Sequence, residues 1–331
     1  MKLYVVKIIN IKGGIKMKIG LVLAGGGARG AYQIGVWKAL KELKIDKYIS
    51  VISGTSIGAL NAMLFNQDDI NIAEEVWMNI SVEKILPTDH KDLLKRSILV
   101  TIGSRNLNLI KKYMPKAING GDIPRDGLIE IIDKYLDFNK IKSVNRICYA
   151  ACTEIPKVEA KYFKVDDYNN EDIRKILLAT SALPMIYQSE EIEGKNYLDG
   201  GMTDNIPIQP VYGEGCDIII VVPLASNVKI NRELYPNSKI VEIRPSEMEA
   251  GLMAGVLDFT PDNTKKRVSI GYKDTIDQIS PIMDIALMID KDNREEEKKK
   301  KMLFNVLKNK LFGNKNEDVK NKSENKNNIE A

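Results

Sequence analysis

Gly54-Thr55-Ser56-Ile57-Gly58 is a G-x-S-x-G pentapeptide set between an apolar run, Ile49–Ile52, and a helix-forming stretch, Ala59–Phe65. That order suits a serine nucleophile. A sharp strand-to-helix turn exposes the hydroxyl, and a glycine on either side lets the chain turn without a Cβ clash. The following helix brings its positive N-terminal end beside Ser56. A nucleophilic serine needs a base, and the chain has one histidine, His90, in the polar stretch Pro87–Asp92. A hydrolase of the order serine, acid, histidine needs a histidine after the serine and the acid. None follows residue 90, so a triad of that order is excluded, and His90 is read as a solvent-facing side chain at a helix start. The base must then be a carboxylate or a lysine. Asp199 stands out, at a predicted strand end in Leu198-Asp199-Gly200-Gly201. With an ordinary pKa of about 3.9 it needs desolvation to become a useful base. Asp-Gly is also a common turn dipeptide, and the motif alone leaves both readings open.

Ala24-Gly25-Gly26-Gly27-Ala28-Arg29-Gly30 directly follows the first predicted strand. Successive glycines at a helix N-terminus present backbone N–H groups to an anion. Gly25, Gly27 and Gly30 match G-x-G-x-x-G, so one candidate is a dinucleotide pyrophosphate. The other is the oxyanion of an acyl-transfer intermediate, for which one preorganised donor contributes roughly 3 kcal/mol. A dinucleotide site places an acid at the end of the second strand. Here that strand runs into Ser53-Gly54-Thr55-Ser56, without an acid, which favours the oxyanion.

Positioning these groups requires a layered frame. Lys18–Ala24 reads as a strand, Ala31–Leu43 as a helix, and Ile49–Ile52 as a second strand leading through the elbow into a second helix. Strand, glycine turn and helix, twice over, predict an α/β fold with a largely parallel sheet. Residues 68–140 read as mainly helical, Arg146–Thr153 and Ala160–Val165 as strands, and Asp172–Thr180 as a helix. A hairpin turn is expected at Glu193-Gly194-Lys195, and further strands at Asp217–Pro223 and Lys239–Arg244. Met185, Ile186, Met248, Leu252, Met253 and Leu257 could line an acyl pocket, although apolar residues at helical spacing more often form core.

The 331 residues are 44% hydrophobic and 28% charged, a globular balance. The net charge of +4 lies wholly in residues 291–331, and the body balances at 37 basic against 37 acidic residues. Such a body is not an electrostatic nucleic-acid binder. Apolar runs such as Cys216–Ala225 are too short to cross a bilayer. Cys148, Cys152 and Cys216 form neither a disulfide framework nor a good zinc site, and read as buried thiols in a reducing compartment. Residues 1–16 precede a second methionine, Met17, and Lys12-Gly13-Gly14 can be encoded by a purine-rich run like a bacterial ribosome-binding site. They are read as a mispredicted extension, with a body over 17–290, an amphipathic helix over 291–312, and a disordered, Asn/Lys/Glu-rich tail over 313–331.

Together these segments resemble the patatin-like phospholipase family, in its bacterial branch. The resemblance rests on Gly25–Gly30, on Gly54–Gly58, on Ala179-Thr180-Ser181-Ala182-Leu183-Pro184 and on Asp199-Gly200-Gly201, in that order, and runs from about Met17 to Tyr272. It implies a three-layer α/β/α fold with a mainly parallel central sheet. It also implies a Ser-Asp dyad, with Ser56 as nucleophile, Asp199 as proton acceptor, and the N–H groups of Gly25, Gly26 and Gly27 as oxyanion hole. Arg29 and Gly30 in the loop, Gly54 and Gly58 in the elbow, and Gly200 and Gly201 after the acid would support them. The implied activity is lipid acyl ester hydrolysis of phospholipids or lysophospholipids through an acyl-enzyme, without a cofactor or metal ion. Apart from the resemblance, the expected setting is cytoplasmic, with room for transient contact at the inner membrane surface. An acyltransferase or thioesterase using the same dyad is not separated by any motif, and a nucleotide-binding regulatory protein would leave the elbow and Asp199 unexplained.

Overall fold

The computed structural model describes residues 17–87 and 121–312. The expected extension over 1–16, His90 and the tail over 313–331 lie outside the described residues.

Among the described residues, eight strands form one sheet. They are β1 (Ile19–Leu23), β2 (Ile49–Thr55), β3 (Ile147–Ile155), β4 (Glu159–Lys164), β5 (Glu190–Ile192), β6 (Lys195–Asp199), β7 (Ile218–Val222) and β8 (Lys239–Glu242). Their order is β5-β6-β3-β2-β1-β7-β8, with β4 also pairing β3. β1 lies parallel to β2 and to β7, β2 to β3, and β7 to β8, while β4, β5 and β6 are antiparallel additions. All five residues of β1 are buried, as expected for a parallel strand covered on both faces, which is why it reads as an unbroken apolar run.

The helices are α1 (Ala31–Glu42), α2 (Ile57–Gln67), α3 (Ile70–Asn79), α4 (Val82–Ile85), α5 (Asp126–Tyr135), α6 (Phe138–Ser143), α7 (Asn170–Thr180), α8 (Ile208–Gly213) and α9 (Pro261–Phe312). On one face of the sheet Val22, Val51, Ile219 and Val221 pack against Ile208 and Val211 of α8. Side chains alternate along a strand, so Leu21 and Leu23 point to the other face, where α2 lies against β1 and β2. The result is a three-layer α/β/α arrangement. The expected hairpin turn joins β5 to β6 through Glu193 (φ 52°) and Gly194 (φ 73°), and Lys195 already opens β6.

A chain of buried amides ties the first glycine loop to the helices behind it. Gln33 Nε2 donates to Ala24 O at 2.8 Å. Asn61 Nδ2 donates to Gln33 Oε1 and to Gly30 O, and Asn61 Oδ1 accepts from Trp77 Nε1 at 2.9 Å. Asn61→Ala would strip partners from three buried polar groups, each worth about 1–3 kcal/mol when left unsatisfied. The expected outcome is a stability loss of about 3 kcal/mol or more in denaturant unfolding; a loss below about 1 kcal/mol would contradict the role given to this chain of bonds.

Compact packing takes in the described residues up to Ile279, and a second unit begins at Ser280, within α9. Inside the first unit, the fully buried Arg267 of α9 donates to Asp258 O at 2.6 Å and to Ala254 O at 3.1 Å. Pro281 lies inside α9. In the second unit Ile282, Ile285, Met288 and Ile289 are exposed, and so are Met302, Leu303 and Phe304. No helix among the described residues is long and apolar enough to cross a membrane.

Candidate active site

Strand register brings Ser56 and Asp199 together. Ala151 of β3 pairs with Thr55 of β2 and with Tyr162 of β4, which therefore flank it on opposite edges. The next residue, Cys152, pairs with Lys161 of β4 and with Asp199 of β6. Because β4 keeps one edge of β3, β2 and β6 share the other. β2 runs parallel to β3 and β6 antiparallel, so their C-terminal ends, Thr55 and Asp199, meet head to head. Residues 143 positions apart in sequence become neighbours at one point of the sheet.

Ser56 sits at the N-cap of α2 with φ 55° and ψ −125°, a left-handed region that costs a non-glycine residue about 1–3 kcal/mol. The flanking glycines are required sterically. A Cβ on Gly54 would collide with the Gly58 carbonyl, and a Cβ on Gly58 with the carbonyls of Leu23 and Ala24. The Ser56 N–H donates to Thr180 Oγ1 at 2.9 Å, and Thr180 Oγ1 in turn donates to Ala151 O. Both glycines contact backbone that cannot yield, so Gly58→Ala is expected to lower the protein's midpoint of unfolding sharply and to remove activity with it. A variant with normal stability and normal turnover would contradict this account of the elbow.

Asp199 is 4% exposed. Its Oδ1 accepts from Gly201 N at 2.7 Å. Its Oδ2 is buried with no hydrogen bond closing on it. Burial pushes the Asp199 carboxyl up to about 6, against the opposing pull of the Gly201 N–H, the nearby Ser56 hydroxyl and the Arg125 guanidinium. A carboxylate poised there can accept a proton at neutral pH. Gly200 packs too closely against Ala151 O for any side chain.

The glycine loop faces the same cavity. The Gly25 N–H is already committed to Asn205 O at 3.2 Å, and Asn205 Nδ2 donates back to Gly25 O. Neither Gly26 N–H nor Gly27 N–H is taken up by a hydrogen bond among the described residues. Of the three loop glycines that line the cavity with Ser56, Gly26 and Gly27 thus keep open N–H donors, whereas the Gly25 N–H is held by Asn205. Gly30 lies against Ile57 and Trp77. Arg29 lines the cavity, donates from Nη2 to Gly251 O at 3.0 Å, and has its pKa lowered by burial and by Arg267.

The cavity, of about 370 Å³, holds Ser56, Asp199, Gly25, Gly26, Gly27 and Gly201 at one wall. Elsewhere its lining is mostly apolar, with Leu60, Leu86, Leu128, Ile132, Leu177 and Leu257. Of the residues considered for an acyl pocket, Leu257 lines the cavity and Ile186 is packed in the adjoining core. An apolar chamber with a few convergent polar groups suits a small apolar ligand with one polar end. Among the described residues, no group of three or more His, Cys, Asp or Glu side chains could hold a metal ion.

Three participants escape the sequence patterns. Thr180 belongs to the Ala179–Pro184 segment, but nothing there marks its hydroxyl as the partner of the elbow amide. Asn205 and Arg125 lie in no recognisable motif, and only the fold brings them to the cavity.

A family model described as patatin-like phospholipase matches residues 21–212. A protein from Aspergillus terreus named lysophospholipase nte1 is 31% identical over 214 residues, covering 63% of this chain and 12% of that protein. The protein of the same name from Aspergillus niger is 30% identical over 226 residues, covering 66% and 13%. The chain thus corresponds to a small part of these relatives. Among solved structures, VipD from Legionella pneumophila is similar with a TM-score of 0.47 and 16% identity, over 80% of this chain and 67% of that one. Human GIVD cytosolic phospholipase A2 with methyl gamma-linolenyl fluorophosphonate gives 0.44 and 11%, over 86% and 61%.

Proposed function

The chain belongs to the patatin-like phospholipase family, and from that premise we propose that it hydrolyses fatty-acyl ester bonds of phospholipids or lysophospholipids with a Ser56–Asp199 dyad. The observation that carries this reading is the head-to-head meeting of β2 and β6 beside a largely apolar chamber. In the proposed reaction Asp199 Oδ2 takes the Ser56 hydroxyl proton as Oγ attacks the ester carbonyl carbon. The carbonyl oxygen becomes an oxyanion facing the Gly26 and Gly27 N–H groups and the N-terminal end of α2. As the carbon–oxygen bond to the alcohol breaks, Asp199 returns the proton to the departing oxygen. Water then gives a proton to Asp199 and attacks the acyl-enzyme, and that proton passes to Ser56 Oγ as the fatty acid is released. The buried Oδ2 makes no hydrogen bond in the resting site, and such bonds commonly tighten only when substrate is bound.

Mass-spectrometric fatty-acid release from vesicles of mixed phospholipid, lysophospholipid and glyceride tests this, with and without a fluorophosphonate. Expected are release that the reagent blocks and a modified peptide carrying Ser56. Modification at a different residue, or release that the reagent leaves untouched, would overturn the assignment.

A peripheral position on the cytoplasmic face of a membrane fits the same reading. Cys148, Cys152 and Cys216 are free and buried, as suits a reducing compartment. Lys298 to Lys301 directly precede the exposed Met302, Leu303 and Phe304. Basic groups near an anionic surface contribute about 1 kcal/mol each, and apolar side chains insert beside them. Replacing the four lysines by glutamine is expected to weaken sedimentation with anionic vesicles at least about tenfold while hydrolysis of a soluble ester stays unchanged. Equal sedimentation of both proteins would contradict the membrane role.

A further inference from the structure

Arg125 is an unusual side chain to find at an apolar chamber. Burial lowers its pKa, and its side chain is only 9% exposed. Nη1 donates to Leu178 O at 2.5 Å and Nη2 to Ser181 Oγ at 2.7 Å. The guanidinium carbon lies 4.5 Å from the centre of the Tyr187 ring, and Nη1 is 3.7 Å from Glu190 Oε1. Nε makes no hydrogen bond.

The residues it holds alternate with those that hold the reacting groups. Arg125 binds residues 178 and 181. Thr180 accepts from the Ser56 N–H, and Ala182 O accepts from the Asp199 N–H at 2.9 Å. One five-residue segment at the end of α7 thus carries, in succession, an Arg125 contact, the elbow anchor, a second Arg125 contact and the Asp199 anchor. A forked, planar guanidinium can grip two acceptors on such a segment at once, which an ammonium cannot do with the same geometry.

Building on the Ser56–Asp199 reading, we propose that Arg125 is the positioning residue of the site, clamping the 178–182 segment that anchors both reacting residues and supplying the fixed cation that the Asp199 carboxylate faces. The groups around that carboxylate are the Ser56 hydroxyl, the Gly201 N–H, the Cys152 thiol of β3, the Tyr187 hydroxyl and Arg125 itself. Arg125 favours the charged form of Asp199, while Glu190 faces Arg125 from β5. Burial holds the Cys152 and Tyr187 groups well above their ordinary values, so both stay neutral where Asp199 titrates. Removing the cation therefore moves the Asp199 titration upward.

The rate at which a fluorophosphonate labels Ser56 is to be followed from pH 4 to 9 in wild type, Arg125→Gln, Arg125→Lys and Ser181→Ala. Arg125→Gln is expected to label about tenfold more slowly on the plateau, with its acidic midpoint raised by about half a unit or more. Arg125→Lys keeps the charge and loses the fork, so its rate falls several-fold while its midpoint stays. Ser181→Ala frees one arm of the clamp and follows Arg125→Lys, which keeps the test decisive if Arg125→Gln does not fold. Wild-type rates with an unmoved midpoint in Arg125→Gln, or in both other variants together, would overturn the proposal. Wild type that leaves Ser56 unlabelled would instead bring down the dyad reading, and the positioning role with it.

Discussion

Ser56→Ala is expected to lower turnover of a soluble ester by about 10⁴-fold or more, leaving the fold intact. In the proposed dyad, the alanine removes the attacking oxygen. The elbow keeps its shape because its geometry comes from Gly54, Gly58 and the Ser56 N–H bond to Thr180, none of which involves the hydroxyl. Alanine retains the strained φ of 55°, whereas Ser56→Gly relieves it. Both variants should therefore be inactive, with the glycine variant the more stable by about 1 kcal/mol in denaturant unfolding. Residual turnover above about 1% of wild type in Ser56→Ala would remove the serine from the centre of the chemistry.

Asp199→Asn is expected to cost about 10²–10⁴-fold in turnover and at the same time to stabilise the protein above pH 6. The carboxyl titrates at about 6 in the fold, raised from an ordinary 3.8 by burial. Below the unfolded value both states hold the proton, and the buried group costs nothing. As pH rises from there to the folded value, the unfolded chain gives up the proton while the fold resists, and the fold loses stability. Above pH 6 that loss is complete, at about 3 kcal/mol for a shift of this size. Asparagine carries no charge to desolvate and keeps an oxygen for the Gly201 N–H. Its gain should be about 1–3 kcal/mol at pH 8 and should vanish near pH 4, in denaturant unfolding at the two pH values. A variant less stable than wild type at pH 8 would show that the carboxylate is not held under strain.

The parts of this site that could be read from the chain are those with stereotyped local chemistry. Parallel strands buried on both faces leave continuous apolar runs, so β1 and β7 were visible as such. The elbow was legible because only glycine fits at 54 and 58. The helix α9 starts thirty residues before the amphipathic stretch over 291–312, since its first turns alternate polar and buried residues without a contrast that stands out. The Gly25 N–H looked like an oxyanion donor by its place in the loop, and only the return of the chain at Asn205 shows it occupied. Thr180, Asn205 and Arg125 are ordinary residues in sequence, given their places by the approach of segments 53 to 180 residues apart. Long-range pairing of that kind leaves no periodic trace in a single chain.

The pH dependence of fatty-acid release from lysophospholipid vesicles by wild type, in the presence of a chelator, addresses the dyad and its substrate together. The account predicts release that the chelator does not diminish, rising through a single limb with a midpoint near pH 6 and flat above it, as Asp199 becomes available as a base. Release that disappears with the chelator, or that persists undiminished well below that limb, would contradict it.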